Sequence, residues 1–379
     1  MSILVFEEVK TERINREHSV VFDLDYLPVL PNKKDYNIAI IGSGGIVNAA
    51  HLPAYRKAGF SVVGLTDKDP EKARETAQKF EIPRVYLTVE ELLNDPAVDI
   101  VDIAVPPWNQ KRIARQVTTA GKHLLCQKPL SNILSEAVEI VEMAEAKGVK
   151  LAVNQQMRWD QAIRASHTLL NKGLLGEVAS ASIDVSIQTD WSNWPWALTV
   201  EGLDLMYHSI HYFDSMRYLF GQPNRIWSTG ARYPGQDAVG ETRTISVLNY
   251  SDSFLGNVSV NHNNWTDNCF ATLRIDGTEG YVSGTFGLLY DYPHGRPDTL
   301  SYMSQNIDPN KTIHHRFKER WIPDSFIGPM GDLMSAIEED RIPETSGRDN
   351  LMTLQLVHAA YLSMSENRAV LPKDISLNY

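Results

Sequence analysis

Cysteine is nearly absent: Cys126 and Cys269 are the only two in 379 residues. That argues against a secreted disulfide scaffold, and the lack of any C-x-x-C pair removes the usual zinc-ribbon and dithiol redox motifs. No apolar run approaches the ~18 residues that a membrane span needs. The first residues, Met1-Ser2-Ile3-Leu4-Val5-Phe6-Glu7-Glu8, lack the basic start and long apolar core of an export signal, so the expected location is cytoplasmic. Positive charge is in the minority, with 36 Lys and Arg against 47 Asp and Glu and a net charge of −11. Such a surface repels phosphate backbones and anionic lipid, so neither nucleic acid nor membrane is an expected partner. No G-x-S-x-G elbow, Walker loop or H-E-x-x-H is present, which leaves serine hydrolase, P-loop NTPase and zincin readings without support.

What remains is an ordinary globular composition, 43% hydrophobic and 22% charged. At roughly 150 residues per domain, the length suggests two domains. Residues 1–35 stand outside the pattern that follows and read as an N-terminal extension, an extended arm lying on the body or on a partner subunit. From Tyr36 to Asn154, short apolar runs without strict alternation are mostly followed by amphipathic helices. The runs are Tyr36–Ile41, Ser61–Thr66, Arg84–Tyr86, Val98–Val105, His123–Cys126 and Val149–Asn154. Asp69-Pro70-Glu71 supplies a helix cap, and Thr88 with Glu91 a capping box. This is the signature of a doubly wound parallel sheet of six strands over residues 36–154. After residue 175 the period changes to two: Ile183, Val185 and Ile187 alternate with polar residues, and Thr244–Tyr250 and Phe254–Asn261 flank a hairpin turn. Residues 155–379 therefore read as an α+β unit with an open, mostly antiparallel sheet, closed by a helix at about 347–366 that can pack on either unit.

The first strand runs into Ile41-Gly42-Ser43-Gly44-Gly45-Ile46-Val47. Gly42 permits a tight turn, and Gly44 lets backbone N–H groups approach a pyrophosphate at the helix start. Val47 stands at the third fingerprint position, where Gly or Ala is usual. Asp67 ends the second strand and can accept hydrogen bonds from an adenosine ribose, which favours NAD, while Lys68 beside it keeps NADP open. The expected cofactor residues are Gly42, Ser43, Gly44, Gly45, Ile46, Asp67, Lys68, Pro106, Gln127 and Lys128.

These segments, with His51-Leu52-Pro53-Ala54, Ala104-Val105-Pro106-Pro107, Gly121-Lys122-His123 through Gln127-Lys128-Pro129, and the turn Asp276-Gly277-Thr278-Glu279-Gly280, resemble the Gfo/Idh/MocA family. The resemblance spans residues 37–365. It implies NAD(P)-dependent dehydrogenation of sugars or polyols between the two units, a substrate-binding and oligomerising role for residues 155–379, and a homodimer or homotetramer. Two positions depart from the family pattern. Glu-Lys-Pro reads Gln127-Lys128-Pro129 here, and Tyr207 stands where an acid is usual, ahead of His211 and Asp214. Gln110, where relatives often carry histidine, receives no role.

Lys128 follows a strand end at the carboxyl edge of the parallel sheet and can stabilise an oxyanion if burial lowers its pKa. His211 is the candidate base for the hydroxyl proton, with Tyr207, one turn away, as a helper. Either His211 or Lys128 can serve as the formal base. Asn154 and Arg158 are expected to orient a polyhydroxylated substrate, with inter-unit bonding as the alternative. Trp191, Trp194 and Trp196 suit either stacking on a sugar or a subunit interface. His208 is placed with the substrate contacts. Asp204, His208 and His211 at i, i+4, i+7 have the spacing of metal ligands, but no fourth ligand is suggested and no metal is assigned. Two other functions stay open beside the dehydrogenase. One is an NAD-assisted sugar lyase or glycoside-cleaving enzyme with no net redox change; the other is a non-enzymatic dinucleotide or sugar sensor.

Overall fold

A computed structural model describes residues 23–377 apart from 291 and 293. Its first sheet has the order β2-β1-β3-β4-β5 and is parallel throughout. The strands are β1 (Asn37–Ile41), β2 (Ser61–Thr66), β3 (Ile100–Ile103), β4 (His123–Cys126) and β5 (Leu151–Val153). Ile38, Ala39, Ile40, Ile100, Val101, Leu124 and Leu125 have no solvent exposure, as expected of strands covered on both faces. Burying each large aliphatic side chain contributes about 1.5–3 kcal/mol. The covering helices are α1 (Leu52–Ala58), α2 (Pro70–Phe80), α3 (Val89–Leu93), α4 (Pro107–Thr119) and α5 (Leu134–Ala146). Asp69 caps α2 by accepting from the Glu71 and Lys72 N–H groups, and Thr88 caps α3. The expected sixth strand does not form: Arg84–Tyr86 makes a single bridge, Val85 to Leu65, at the β2 edge. Pro83, just before it, has no N–H to extend the ladder.

The second sheet has the order β13-β12-β11-β10-β6-β9-β8-β7. Its strands are β6 (Val178–Ser186), β7 (Arg225–Ala231), β8 (Arg243–Asn249), β9 (Leu255–Asn261), β10 (Phe270–Gly277), β11 (Gly280–Thr285), β12 (Thr299–Ser304) and β13 (Ile313–Arg316). The sheet is antiparallel except where β6 runs parallel to β9. The chain leaves β6, passes through α7 (Asp204–Tyr207) and α8 (Ile210–Phe220), builds β7 and β8 at the far edge, and returns as β9 beside β6. One face packs under α6 (Gln161–Asn171), α8 and α11 (Gly347–Glu366). Helix α11 touches both units, lying against β7 on one side and α5 and β5 on the other. Gly347 lets its first turn come close, since a Cβ there would sit 2.2 Å from Leu151. Between β13 and α11 lie α9 (Trp321–Asp324) and α10 (Ile327–Glu338).

Of the expected arm, residues 1–22 lie outside the described residues. The remainder runs over the chain's own body. The Tyr26 ring meets Phe317 edge-on at 4.7 Å, and its hydroxyl donates to Glu319 at 3.1 Å.

Candidate active site

Strand order reverses at β1, so a crevice opens between the carboxyl ends of β1 and β3, where such sheets take ligands. Gly42 turns there with φ +109°, and a Cβ would lie 2.4 Å from the Ala104 carbonyl oxygen on the neighbouring strand. Gly44 and Gly45 are exposed and face open space, the room that a phosphate approaching a helix start requires. Ile46 precedes a π-helical turn, Val47–His51, that continues into α1. Asp67 is tied to this loop: its carboxylate accepts from Ser43 N–H at 2.6 Å and from Ser43 Oγ at 3.0 Å. Lys68 is exposed beside it, and Pro106 caps α4 at the mouth of the crevice. The glycine turn, the open space above Gly44 and Gly45, and an acid at the end of β2 fit a dinucleotide.

Next along the same edge, the ends of β4 and β5 supply Gln127, Lys128 and Asn154. The Lys128 ammonium crosses to the second unit and donates to the Tyr207 carbonyl at 2.5 Å. Enclosure strips its hydration and pushes its pKa down to about 8. The Gln110 amide donates to the Gln127 and Pro129 carbonyls, at 2.8 and 2.7 Å, and so braces the chain on both sides of Lys128. Gln110 therefore has a structural task that the sequence left unassigned.

From the second unit, α7 and α8 bring Tyr207, His208 and His211. His211 is buried, edge-on to Trp321 at 5.6 Å, and its Nδ1 has no hydrogen-bond partner among the described residues. Burial, then the charge of Lys128, then His208 hold its pKa well below the ordinary histidine value, so the imidazole is neutral. The Lys128 charge acts on the His208 ring as well, so the ammonium lies within electrostatic reach of both imidazoles. The Tyr207 ring meets Trp196 at 5.0 Å, and its carbonyl, not its phenol, reaches Lys128. Trp196 also meets Trp108 of α4 at 5.8 Å, linking the two units across the mouth of the cleft, while Trp191 packs on His262 at 5.0 Å.

Two further expectations change. Arg158 is buried and its guanidinium is engaged within the protein. It donates to both Asp214 oxygens, at 2.7 and 2.8 Å, to the Glu344 carbonyl at 3.1 Å, and to Asp349. It braces its own short turn, Gln156–Trp159, against α8 and α11 rather than facing a substrate. The metal-like spacing of Asp204, His208 and His211 is also corrected. Helix α7 ends at Tyr207, and His208 adopts φ −122° and ψ −63° before α8 begins, so the three residues do not share one helical face. His262, from just beyond β9, takes the third place: ligand atoms of Asp204, His208 and His262 lie within 4.8 Å of one another. Asp204 is satisfied there without an ion. It accepts from Ser209 Oγ at 2.8 and 2.9 Å, from His262 Nε2 at 2.8 Å and from Thr244. Burial would raise its pKa, but the His208 ring, with Nδ1 3.5 Å from the carboxylate, and the hydrogen bond from His262 hold it below the usual carboxylate range.

His51 and Asp102 escaped sequence reasoning. Both are fully buried behind Gln127 and Asn154, with His51 Nδ1 2.7 Å from Asp102 Oδ2. The signal was a lone acid in an otherwise apolar strand, because a buried carboxylate requires partners.

Comparison with known proteins agrees with this architecture. Residues 36–155 match the oxidoreductase family described as having an NAD-binding Rossmann fold, and residues 163–283 match the GFO/IDH/MocA C-terminal domain. D-apiose dehydrogenase of Paraburkholderia graminis is 30% identical over 353 residues, covering 90% of this chain and 91% of that protein. Levoglucosan dehydrogenase of Pseudarthrobacter phenanthrenivorans is 24% identical over 294 residues, 66% of this chain and 73% of that one. Among solved structures, an oxidoreductase from Agrobacterium radiobacter in complex with NAD+, L-tartaric acid and magnesium superimposes with a TM-score of 0.80 at 23% identity, covering 90% of this chain and 100% of that one. A parallel sheet with a glycine turn at its switch point, joined to a unit with an open eight-stranded sheet whose helix α7 meets the lysine just after β4, places this chain in the Gfo/Idh/MocA family of NAD(P)-dependent oxidoreductases.

Proposed function

We propose that this protein is a dehydrogenase that oxidises a CH–OH group of a sugar, polyol or related hydroxy compound, with NAD as the preferred cofactor. One observation carries the reading. A lysine with its pKa lowered to about 8 and a neutral, buried histidine stand within electrostatic reach of each other, on opposite sides of the cleft beside the glycine turn. Relatives named as dehydrogenases of D-apiose and levoglucosan support the substrate class.

When bound, the nicotinamide supplies the hydride acceptor. Gly42, Ser43, Gly44, Gly45 and Ile46 would hold the pyrophosphate, Asp67 and Lys68 would meet the adenosine ribose, and Pro106, Gln127 and Lys128 would border the nicotinamide. His211 takes the proton of the substrate hydroxyl on its neutral ring as the carbon gives up its hydride. The Lys128 ammonium stabilises the negative charge that develops on that oxygen. Asn154 and His208 contact the remaining hydroxyls, and Tyr207 with Trp191 shapes the wall of the cleft. The Asp67 carboxylate disfavours a 2′-phosphate, hence NAD over NADP.

The test is NAD reduction, followed at the nicotinamide absorbance, across a panel of aldoses, polyols and cyclic diols. Reduction with one chemical class is expected. Tight NAD binding with no reduction by any member, or product formation with no net NADH, would reject the dehydrogenase reading.

A further inference from the structure

The Lys128 loop is held by a chain of hydrogen bonds whose polarity is fixed from both ends. At one end, the Lys128 N–H must donate, and it donates to Gln127 Oε1 at 2.8 Å. That sets the amide: with its oxygen toward Lys128, Gln127 presents Nε2 to His51 Nε2 at 3.0 Å. Asn154 presents Nδ2 to the same nitrogen at 3.3 Å. An imidazole nitrogen facing amide donors must be the bare one. At the other end, Asp102 Oδ2 lies 2.7 Å from His51 Nδ1 and also accepts from the Tyr55 hydroxyl at 2.8 Å. A carboxylate there calls for the proton on Nδ1, the same assignment reached from Lys128. His51 and Asp102 have no solvent exposure, so water does not scramble the arrangement.

We propose that His51, oriented by Asp102, is a positioning residue of the active site. As a neutral ring protonated on Nδ1, it fixes the amides of Gln127 and Asn154 and through Gln127 fixes the main chain at Lys128. The importance of that main chain rests on the dehydrogenase reading above. The arrangement leaves Asn154 Oδ1 buried with no partner among the described residues, an acceptor for an N–H or O–H of a bound ligand. It also gives position 127 a physical rule. With Asp102 on the far side of the ring, position 127 must donate, so the amide of Gln127 fits. A carboxylate there would set lone pairs against lone pairs, or would force a buried imidazolium between two acids.

Three variants test the rule: Gln127→Glu, Asp102→Asn and the pair together. Gln127→Glu is expected to lower kcat and NADH affinity about tenfold, the scale of a coupled contact. Adding Asp102→Asn is expected to recover most of that loss. His51 can then carry its proton on Nε2 and donate to the carboxylate introduced at position 127, with the net charge of the cluster unchanged. A purely structural role would not produce such rescue. Losses that multiply in the double variant, or a Gln127→Glu enzyme that behaves as wild type, overturn the proposal. NADH affinity, read by its fluorescence, needs no turnover, so this arm is readable even if no substrate is found. A third arm needs no variant: nitrogen-15 NMR of histidine-labelled wild-type protein should show His51 protonated on Nδ1 and bare on Nε2. A proton on Nε2 refutes the assignment even if every variant fails to fold.

Discussion

A lysine enclosed by protein loses the hydration that favours its charged form, and Lys128, with its pKa brought down to about 8, titrates within the working range of an enzyme. If its ammonium stabilises the developing alkoxide, activity is present below about pH 8 and falls as the pH rises through that value. Lys128→Met should lower kcat by about 10²–10³, the usual effect of losing one oxyanion donor. Lys128→Arg, which does not titrate, should keep a smaller but flat rate to higher pH; pH–rate profiles of the three proteins check this. A wild-type rate that instead climbs through about pH 8 would make the neutral amine the base. Lys128 and His211 were legible because each sits in a short local pattern, Gln127-Lys128-Pro129 and Tyr207 through His211. His51 with Asp102, and His262 with Asp204, were not. Their partners are 51 and 58 residues apart, and only the fold brings them together.

At the scale of elements, the parallel strands and their caps were readable because local chemistry decides them: Pro70 after Asp69, or the short run from His123 to Cys126. The break at His208 and the parallel pairing of β6 with β9 were not, since tertiary packing sets both. Two buried charge sites join elements. Burial works against the Arg158 charge, but Asp214 and Asp349 overcome this and hold its pKa above the ordinary value. Arg158→Met would leave the buried Asp214 with only Thr353 and a longer contact to Arg217, costing about 3–5 kcal/mol of stability. Urea unfolding should show that loss, while KM for the substrate stays unchanged at temperatures where the variant is folded. A raised KM with normal stability would return Arg158 to the substrate. The second site joins α6 to the start of β12. Burial raises the Asp298 pKa to about 6, and burial, then the charge of Asp298, raises Asp160 further. A carboxyl raised in the folded state is protonated there while the unfolded chain has already ionised. Its stabilising contribution is therefore whole below about pH 4 and is lost as the pH rises through about 6. Asp298→Asn, which keeps the neutral shape, should raise the melting temperature more at about pH 8 than at about pH 5, as calorimetry under the two conditions can show.

Over the whole molecule, the two sheets carry the two units, and the features that cross between them sit at different depths. Lys128 to the Tyr207 carbonyl lies inside, Trp108 to Trp196 at the mouth, and α11 behind. No helix among the described residues is long and apolar enough to cross a membrane. If the parallel sheet alone holds the cofactor and the tryptophan segment closes on the substrate, the two ligands should respond differently to loss of the bridge. In Trp196→Ala, the ring contacts to Trp108 and Tyr207 vanish. Such pairs contribute about 0.5–1.5 kcal/mol each beyond area burial, so KM for the substrate should rise about tenfold. NAD affinity should stay within about threefold, because the glycine turn and Asp67 are untouched. NAD at about a hundred times its Kd should then stabilise wild type and variant alike by about 2.7 kcal/mol, visible as equal thermal shifts. The opposite pattern, a lost NAD shift with an unchanged KM, would assign the tryptophan bridge to the cofactor and move the substrate deeper, between Trp321 and the end of β5.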